Sequence, residues 1–195
     1  MILCEDMSQK VGRHTVKNNY WKNSGIEVVR IPAPVGDYFI ANEQVIDVIN
    51  RKAKRGVALK KMDFLGTYKV CVDTKQDMAE LYADLYADHE RFRDECILAQ
   101  NNGIQLYVLV ENEDGITCVN DVFKWQNPRL KRYNLIAYMH RQGKWQNVAL
   151  PKRPPVPSPQ MAKAMLSMEH KYGVKFVFCP PNKAGSTTIK LLTKE

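Results

Sequence analysis

The stretch Lys69-Val70-Cys71-Val72-Asp73-Thr74-Lys75 is a short apolar run that ends in an acid, one spacer and a lysine. Upstream, Val35-Gly36-Asp37-Tyr38 supplies a second acid at a tight turn. Carboxylates from a turn and from a strand end can hold a hard divalent cation such as Mg²⁺ or Mn²⁺ between them, because such ions take oxygen ligands and keep several waters. In an extended chain Lys75 projects to the same face as Asp73. There its ammonium would orient or activate the attacking water, or stabilise a charged transition state. Asp37, Asp73 and Lys75 are therefore the candidate catalytic residues for hydrolysis of a phosphodiester. The acid-x-lysine pattern recurs as Glu169-His170-Lys171, but inside a helical segment, where positions two apart do not share a face. On pattern alone, the competing reading is that Asp73 opens a helix and Lys75 is solvated.

The elements that must position these residues follow from the chain around them. Ile2 to Cys4 reads as a first strand that delivers Glu5 and Asp6 at its tip. Val16 to Lys22 is a short helix stopped by Ser24-Gly25, and the β-branched run Ile26 to Ile31 is a second strand. Pro32 and Pro34 force an extended connection into Gly36-Asp37, which places Asp37 at the start of a third strand over 38–41. An insertion follows at 42–68. Val45, Ile46, Ile49 and Ala53 have helical spacing, Asn42 is a candidate cap and Gly56 a candidate stop. Its basic residues Arg51, Lys52, Lys54, Arg55, Lys60 and Lys61 suit either a solvated helix end or phosphate contacts. After Asp73, the segment 77–102 predicts one long helix with Met78, Leu81, Tyr82, Leu85, His89, Phe92 and Cys96 as its apolar stripe. His89 is expected at the edge of the core, and Glu80 as a support for Lys75. Ile104 to Val110 reads as a parallel strand covered on both faces. Val119 to Trp125 predicts a short helix, and Arg129, Lys131 and Arg132 with Tyr133 form a second basic cluster. For Leu135 to Met139 helix and strand remain open. The five prolines within 150–159 impose an extended arm, after which a helix (161–172), a strand (174–179) and a helix (186–192) close the chain. That tail is too small for a core of its own. The expected layout is a core at 1–150, an arm at 151–159, and a tail at 160–195 packed on the same domain.

Composition sets bounds on this reading. The chain has 195 residues, a net charge of +8 and a pI near 9.2, which favours a polyanionic partner. A mean hydropathy of −0.41 and the lack of any apolar run of about 20 residues speak against a membrane span. Acids directly follow Met1-Ile2-Leu3-Cys4, so no signal peptide is expected there. Five scattered cysteines without a CxxC pair read as reduced residues of a cytoplasmic protein. The four histidines never fall three or four apart, which argues against zinc.

With these pieces in place the chain resembles the PD-(D/E)xK nuclease superfamily. More closely it is similar to the XPF-like branch, and above all to the small nucleases of phages and prophages. In that branch a Gly-Asp turn precedes a strand ending in Glu-Arg-Lys, and the counterparts here are Gly36-Asp37 and Asp73-Thr74-Lys75. Further likeness lies in the segments 89–96, 103–106, 125–129, 161–165 and 172–174, so it covers nearly the whole chain. The resemblance implies an α/β fold with a restriction-endonuclease-like core, a mixed central sheet flanked by helices, and a C-terminal helix-strand-helix tail. It implies Asp37 and Asp73 as metal ligands, the Thr74 carbonyl as a further ligand, and Lys75 as the residue that positions or deprotonates the nucleophile. The basic residues would contact the DNA backbone, giving affinity with little base specificity and selection of branched or flapped DNA. Where the family has Asp-x-Arg-Glu after its first strand, this chain has Asp6-Met7-Ser8-Gln9, and the usual acid four residues beyond the lysine is Ala79. Only Asp6 of that first motif survives, as a candidate supporting residue. The losses would weaken metal binding or catalysis unless Glu5 substitutes there and Asp77 or Glu80 replaces the acid missing at 79, and they leave open a non-catalytic DNA-binding or scaffold protein. No Gly-rich helix-hairpin-helix pair is evident, so duplex handling would fall to this domain, a homodimer or a phage DNA-processing partner.

Overall fold

The computed structural model describes residues 1–10, 12 and 14–194. Six strands form one mixed sheet: β1 (Ile2–Asp6), β2 (Glu27–Ile31), β3 (Tyr38–Ile40), β4 (Val70–Lys75), β5 (Gln105–Glu111) and β6 (Lys175–Cys179), in the order β2-β1-β3-β4-β5-β6. β1 runs parallel to β2, β3 is antiparallel to both β1 and β4, and β4, β5 and β6 are mutually parallel. The tail thus supplies the edge strand β6, and with it the expected restriction-endonuclease-like arrangement.

Strand alternation sorts the side chains onto two faces. Cys4, Phe39, Cys71, Leu106, Val108, Val110 and Phe176 point to the front. There they meet α2 (Glu43–Lys54), α3 (Met78–Tyr86), α4 (His89–Asn101), α5 (Val119–Val122) and α7 (Ser158–Tyr172). Leu3, Tyr38, Val72 and Leu109 point to the back, beneath α1 (Thr15–Asn23) and α8 (Ala184–Leu192). α6 (Pro128–Arg141) buries only Ile136 and carries a largely exposed surface. The same alternation puts Asp6, Asp73 and Lys75 on the front, and Glu5 on the back.

The back layer is joined by polar contacts as well as packing. Trp21 is fully buried, meets the Tyr38 ring edge-on at 5.0 Å, and donates its indole N–H to the Gly185 carbonyl at 3.0 Å. Beside it, the ammonium of Lys17 is buried against the Glu111 carboxylate at 2.9 Å. An ion pair removed from water in this way holds only because each partner neutralises the other.

Several elements differ from the sequence reading. The long helix expected over 77–102 is two helices. At the joint, the N–H groups of Ala87 and Asp88 both reach back to the Ala83 carbonyl, at 2.7 and 2.9 Å, which breaks the regular ladder. The change of phase keeps Phe92 and Cys96 in the core but turns His89 out to solvent, so His89 is not a core-edge residue. In α2 the buried positions are Val45 and Val48, while Ile46 and Ala53 are exposed. Asn42 does cap it, accepting from the Val45 N–H at 3.0 Å. Leu135 to Met139 is helical, inside α6. Cys4, Cys71, Cys96 and Cys179 are buried free thiols, whereas Cys118 is exposed. Among the described residues no helix is long and apolar enough to cross a membrane.

Because Trp21 fills the space between the back of the sheet and α8, Trp21→Ala is expected to lower the unfolding free energy by about 3–5 kcal/mol. Urea denaturation followed by far-UV circular dichroism measures this.

Candidate active site

Three neighbouring strands bring the first acids together. The Asp6 N–H donates to the Asp37 carbonyl at 2.7 Å, and the Asp37 N–H donates to the Val72 carbonyl at 2.9 Å. The turn before Asp37 needs Gly36. Its φ is +71°, and a Cβ there would stand 2.9 Å from the Cys71 Cβ, so only glycine fits without displacing the strand. The Tyr68 hydroxyl secures this turn by donating to the Val35 carbonyl at 2.7 Å, while its ring stacks on Phe39 with centroids 4.0 Å apart.

Asp37 is held rigidly. One carboxylate oxygen accepts from both the N–H and the hydroxyl of Thr74, at 2.7 and 2.8 Å, and the other accepts from the Gln9 amide. Gln9 in turn meets His14 Nε2 at 2.8 Å. Asp73 pairs with the ammonium of Lys75 at 2.6 Å, and Lys75 also pairs with Asp84 of α3. Arg91 of α4 closes the row on Asp84 at 2.9 Å. It is the break between α3 and α4 that brings these last two into contact. Glu95, one turn further along α4, accepts the Gly36 N–H at 2.8 Å. Asp6, Asp37, Asp73 and Glu95 line one cavity of about 360 Å³, with Lys61 and Arg91 among its other walls.

Burial and mutual repulsion dominate the electrostatics. Asp37, Asp73, Lys75 and Asp84 are 8, 5, 6 and 4 % exposed. Loss of water pushes the Asp73 carboxyl up to about 7, Lys75 opposing this and the charges of Asp37 and Asp84 adding to it. Burial and then the charge of Asp73 push Glu95 up to about 7 as well. Burial likewise raises Asp37, against the pull of Lys75 and Thr74. For Lys75 burial works the other way, but the facing carboxylates of Asp73, Asp84 and Asp37 outweigh it and keep the amine protonated well above the usual lysine range. Around Lys75 and Arg91 thus stand the carboxyls of Asp37, Asp73, Asp84 and Glu95, so that deprotonation of all four would leave acid in excess.

That excess of carboxyls over cations, presented by hard oxygen donors, fits a divalent cation. Among the described residues no three histidine, cysteine or acidic side chains are grouped closely enough to wrap an ion by themselves. Mg²⁺ does not need such a cage, since it is commonly held by one or two carboxylates and keeps several waters. Asp37 and Asp73 retain lone pairs for this after their protein contacts are counted.

The other residues singled out from the sequence are distributed more widely. Asp6 reaches the cavity, and its carboxylate also accepts from the Ala33 N–H at 3.0 Å and from Ser8. Glu5 does not join them: on the back face it pairs with Arg30 at 3.1 Å and accepts from Tyr38. Glu80 accepts the Gln76 N–H at 2.7 Å, closing the start of α3, and the support expected of it comes from Asp84 instead. Of the basic insertion, Arg51 pairs with Asp47 and Lys52 with Asp63, each at 2.9 Å. Lys54, Arg55 and Lys60 are exposed. Lys61 alone of that group lines the cavity, 3.6 Å from Asp6. Lys131 is exposed on α6, and Arg129 and Arg132 line a different groove. Sequence reasoning missed Asp84 and Glu95. The signal for Asp84 was an acid three residues beyond a core leucine, Leu81; for Glu95 it was an acid three beyond Phe92 and adjacent to Cys96.

The structure is similar to that of XPF from Aeropyrum pernix, with a TM-score of 0.54 and 12 % sequence identity, covering 100 % of this chain and 63 % of that one. It is also similar to that protein's structure in complex with DNA, with a TM-score of 0.51 and 13 % identity, covering 98 % of this chain and 62 % of the other. The chain therefore spans less than two thirds of the length of these proteins. No protein-family model and no curated protein matches the sequence. The fold is similar to that of XPF: a mixed six-stranded α/β sheet with helices on both faces.

The raised carboxyls set a pH dependence. Asp73 and Glu95 have folded-state values near 7, above their ordinary 3.8 and 4.5. The folded state therefore binds their protons more tightly, and this contribution to stability is lost as pH rises from about 4 through 7. In EDTA the thermal midpoint should be higher at pH 5.5 than at pH 8, and Glu95→Gln should narrow the gap. Millimolar Mg²⁺ should raise the midpoint at pH 8 more than at pH 5.5. Differential scanning calorimetry reads all three effects.

Proposed function

We propose that this protein is a metal-dependent DNA endonuclease of the PD-(D/E)xK type. It hydrolyses phosphodiester bonds in branched or flapped DNA during phage or mobile-element DNA processing. The observation that carries the reading is the convergence of Asp37, Asp73 and Glu95 on one cavity with Lys75 seated against Asp73. Further support comes from the likeness to a nuclease fold that has also been seen with DNA, and from the net charge of +8.

Asp37 and Asp73 would hold Mg²⁺ or Mn²⁺, with the Thr74 carbonyl as a further ligand and Glu95 and Asp6 as acids on the same cavity. When bound, the ion would supply Lewis-acid stabilisation of the extra charge on the phosphate oxygens and would acidify the attacking water. Thr74 fixes the orientation of Asp37 through two hydrogen bonds. Lys75 stays protonated between Asp73 and Asp84. It therefore acts as a fixed positive charge and hydrogen-bond donor that orients the nucleophile and faces the developing negative charge, and it does not act as a base. Lys61 and Arg91 on the cavity rim offer contacts to the scissile strand's phosphates. The exposed Lys54, Arg55 and Lys60 add contacts of the same kind further out.

A second reading, a DNA-binding or scaffold protein on a worn nuclease fold, is favoured by one observation: the amide of Gln9, where the family carries an acid, occupies an oxygen of Asp37. A cleavage assay on flapped, forked and linear DNA with Mg²⁺ or Mn²⁺ separates the two. Cleavage that prefers flapped over linear DNA and falls at least roughly a hundredfold in Asp73→Ala, with DNA binding retained, is the expected outcome. Wild-type protein that binds these substrates and cuts none of them with either ion would establish the second reading.

A further inference from the structure

Between Val122 and Met168 the chain holds nine lysines and arginines and no aspartate or glutamate. Since the whole chain carries +8, everything outside this stretch sums to −1. The stretch comprises α6 and the proline-rich arm, and between them lies a groove of about 430 Å³, within the size range of a ligand pocket (about 300–1,000 Å³). Arg129, Arg132 and Arg153 line it together with Tyr82, Tyr133 and Pro155, and no acid is among its walls. Among the described residues none of the three arginines forms an ion pair. Arg129 instead lies over the Tyr82 ring, 5.2 Å from its centroid.

The groove is built in advance of any ligand. The Val156 N–H donates to the Tyr82 hydroxyl at 2.8 Å, and the Asn127 amide donates to the Val156 carbonyl at 3.0 Å, so the arm is pinned from both α3 and the start of α6. Prolines on either side of Val156 keep it extended. Tyr82 and Asp84 lie two positions apart on α3 and point in different directions. Asp84 faces the carboxylate site while Tyr82 faces the groove, about one helix thickness away, roughly 10 Å.

We propose that this groove binds an unpaired DNA strand, with a base stacked on Tyr133 and flanking phosphates on Arg132 and Arg153. Unpaired guanidiniums beside aromatic faces form the recognition surface for single strands, because every base offers a π-face and every linkage a charge. A duplex cannot use the Tyr133 ring, since its bases are already stacked. The inference rests on the nuclease reading only for its choice of DNA as the polymer, and its test does not require catalysis.

The experiment is fluorescence anisotropy of the full chain in EDTA, with labelled single-stranded dT20 and a blunt 20-base-pair duplex, over a range of salt concentrations. Tyr133→Leu should weaken dT20 binding roughly tenfold while leaving the duplex unchanged. Arg132→Gln combined with Arg153→Gln, both at exposed positions, should lower the slope of log K against log salt for dT20 by about 1.4. An unchanged affinity and slope for dT20 in both variants would overturn the proposal. So would equal losses for dT20 and duplex, or inorganic polyphosphate competing as well as unlabelled dT20, since each would leave only general electrostatics. Loss of cleavage alone, with these binding results intact, would count against the nuclease reading and not against the groove.

Discussion

The front of this molecule is organised around an excess of buried negative charge that the protein does not neutralise by itself. Lys75 is clamped between Asp73 and Asp84, and Arg91 answers Asp84 from outside, yet Asp37 and Glu95 remain with only hydrogen bonds to uncharged donors. Carboxylates kept from water in this way are costly unless a cation or a proton compensates. The surrounding structure accepts that cost. The sheet fixes Asp37 and Asp73 on adjoining strands, Gly36 permits the close approach, and two separate helices each contribute one more acid.

The two faces of the sheet have divided roles. The back is closed by α1 and α8 through Trp21, Tyr38 and the Lys17–Glu111 pair, and it makes a dry layer. The front carries the larger apolar cluster, but at the ends of β1, β3 and β4 that cluster gives way to acids. One strand serves both. In β4, Val72 packs to the back, while Cys71 joins the front core, Asp73 lines the cavity, and Lys75 pairs with Asp73 and Asp84. The rigidity of the back layer is what keeps Asp73 and Lys75 in register with their partners.

Much of this was legible in the sequence because strand periodicity is simple. Once 70–75 is a strand, Asp73 and Lys75 must share a face, and once 2–6 is one, Asp6 and Glu5 must part company. That alternation separates Glu5 from the site, and on the back face it pairs with Arg30. The resemblance to XPF-like nucleases anticipated the sheet, and the structure agrees with it at that level. Asp84 and Glu95 were hidden for a different reason. Their approach to Lys75 and Gly36 depends on a helix break near Ala87 that carries no glycine or proline, so nothing local announced it. The groove beside α6 was equally unreadable, since its walls come from α3, α6 and the arm, and the basic cluster at 129–133 supplies only three of them.

The pair formed by Lys17 and Glu111 carries a consequence for how the molecule comes apart. Lifting the N-terminal helix would strand the Glu111 carboxylate at the end of the middle strand of the parallel trio, and it would also strip the indole from the terminal helix. Displacement of α1 would therefore loosen α8 as well. α1 and α8 are clasped to one another across the rear of the sheet, although 164 positions separate Trp21 from its partner Gly185.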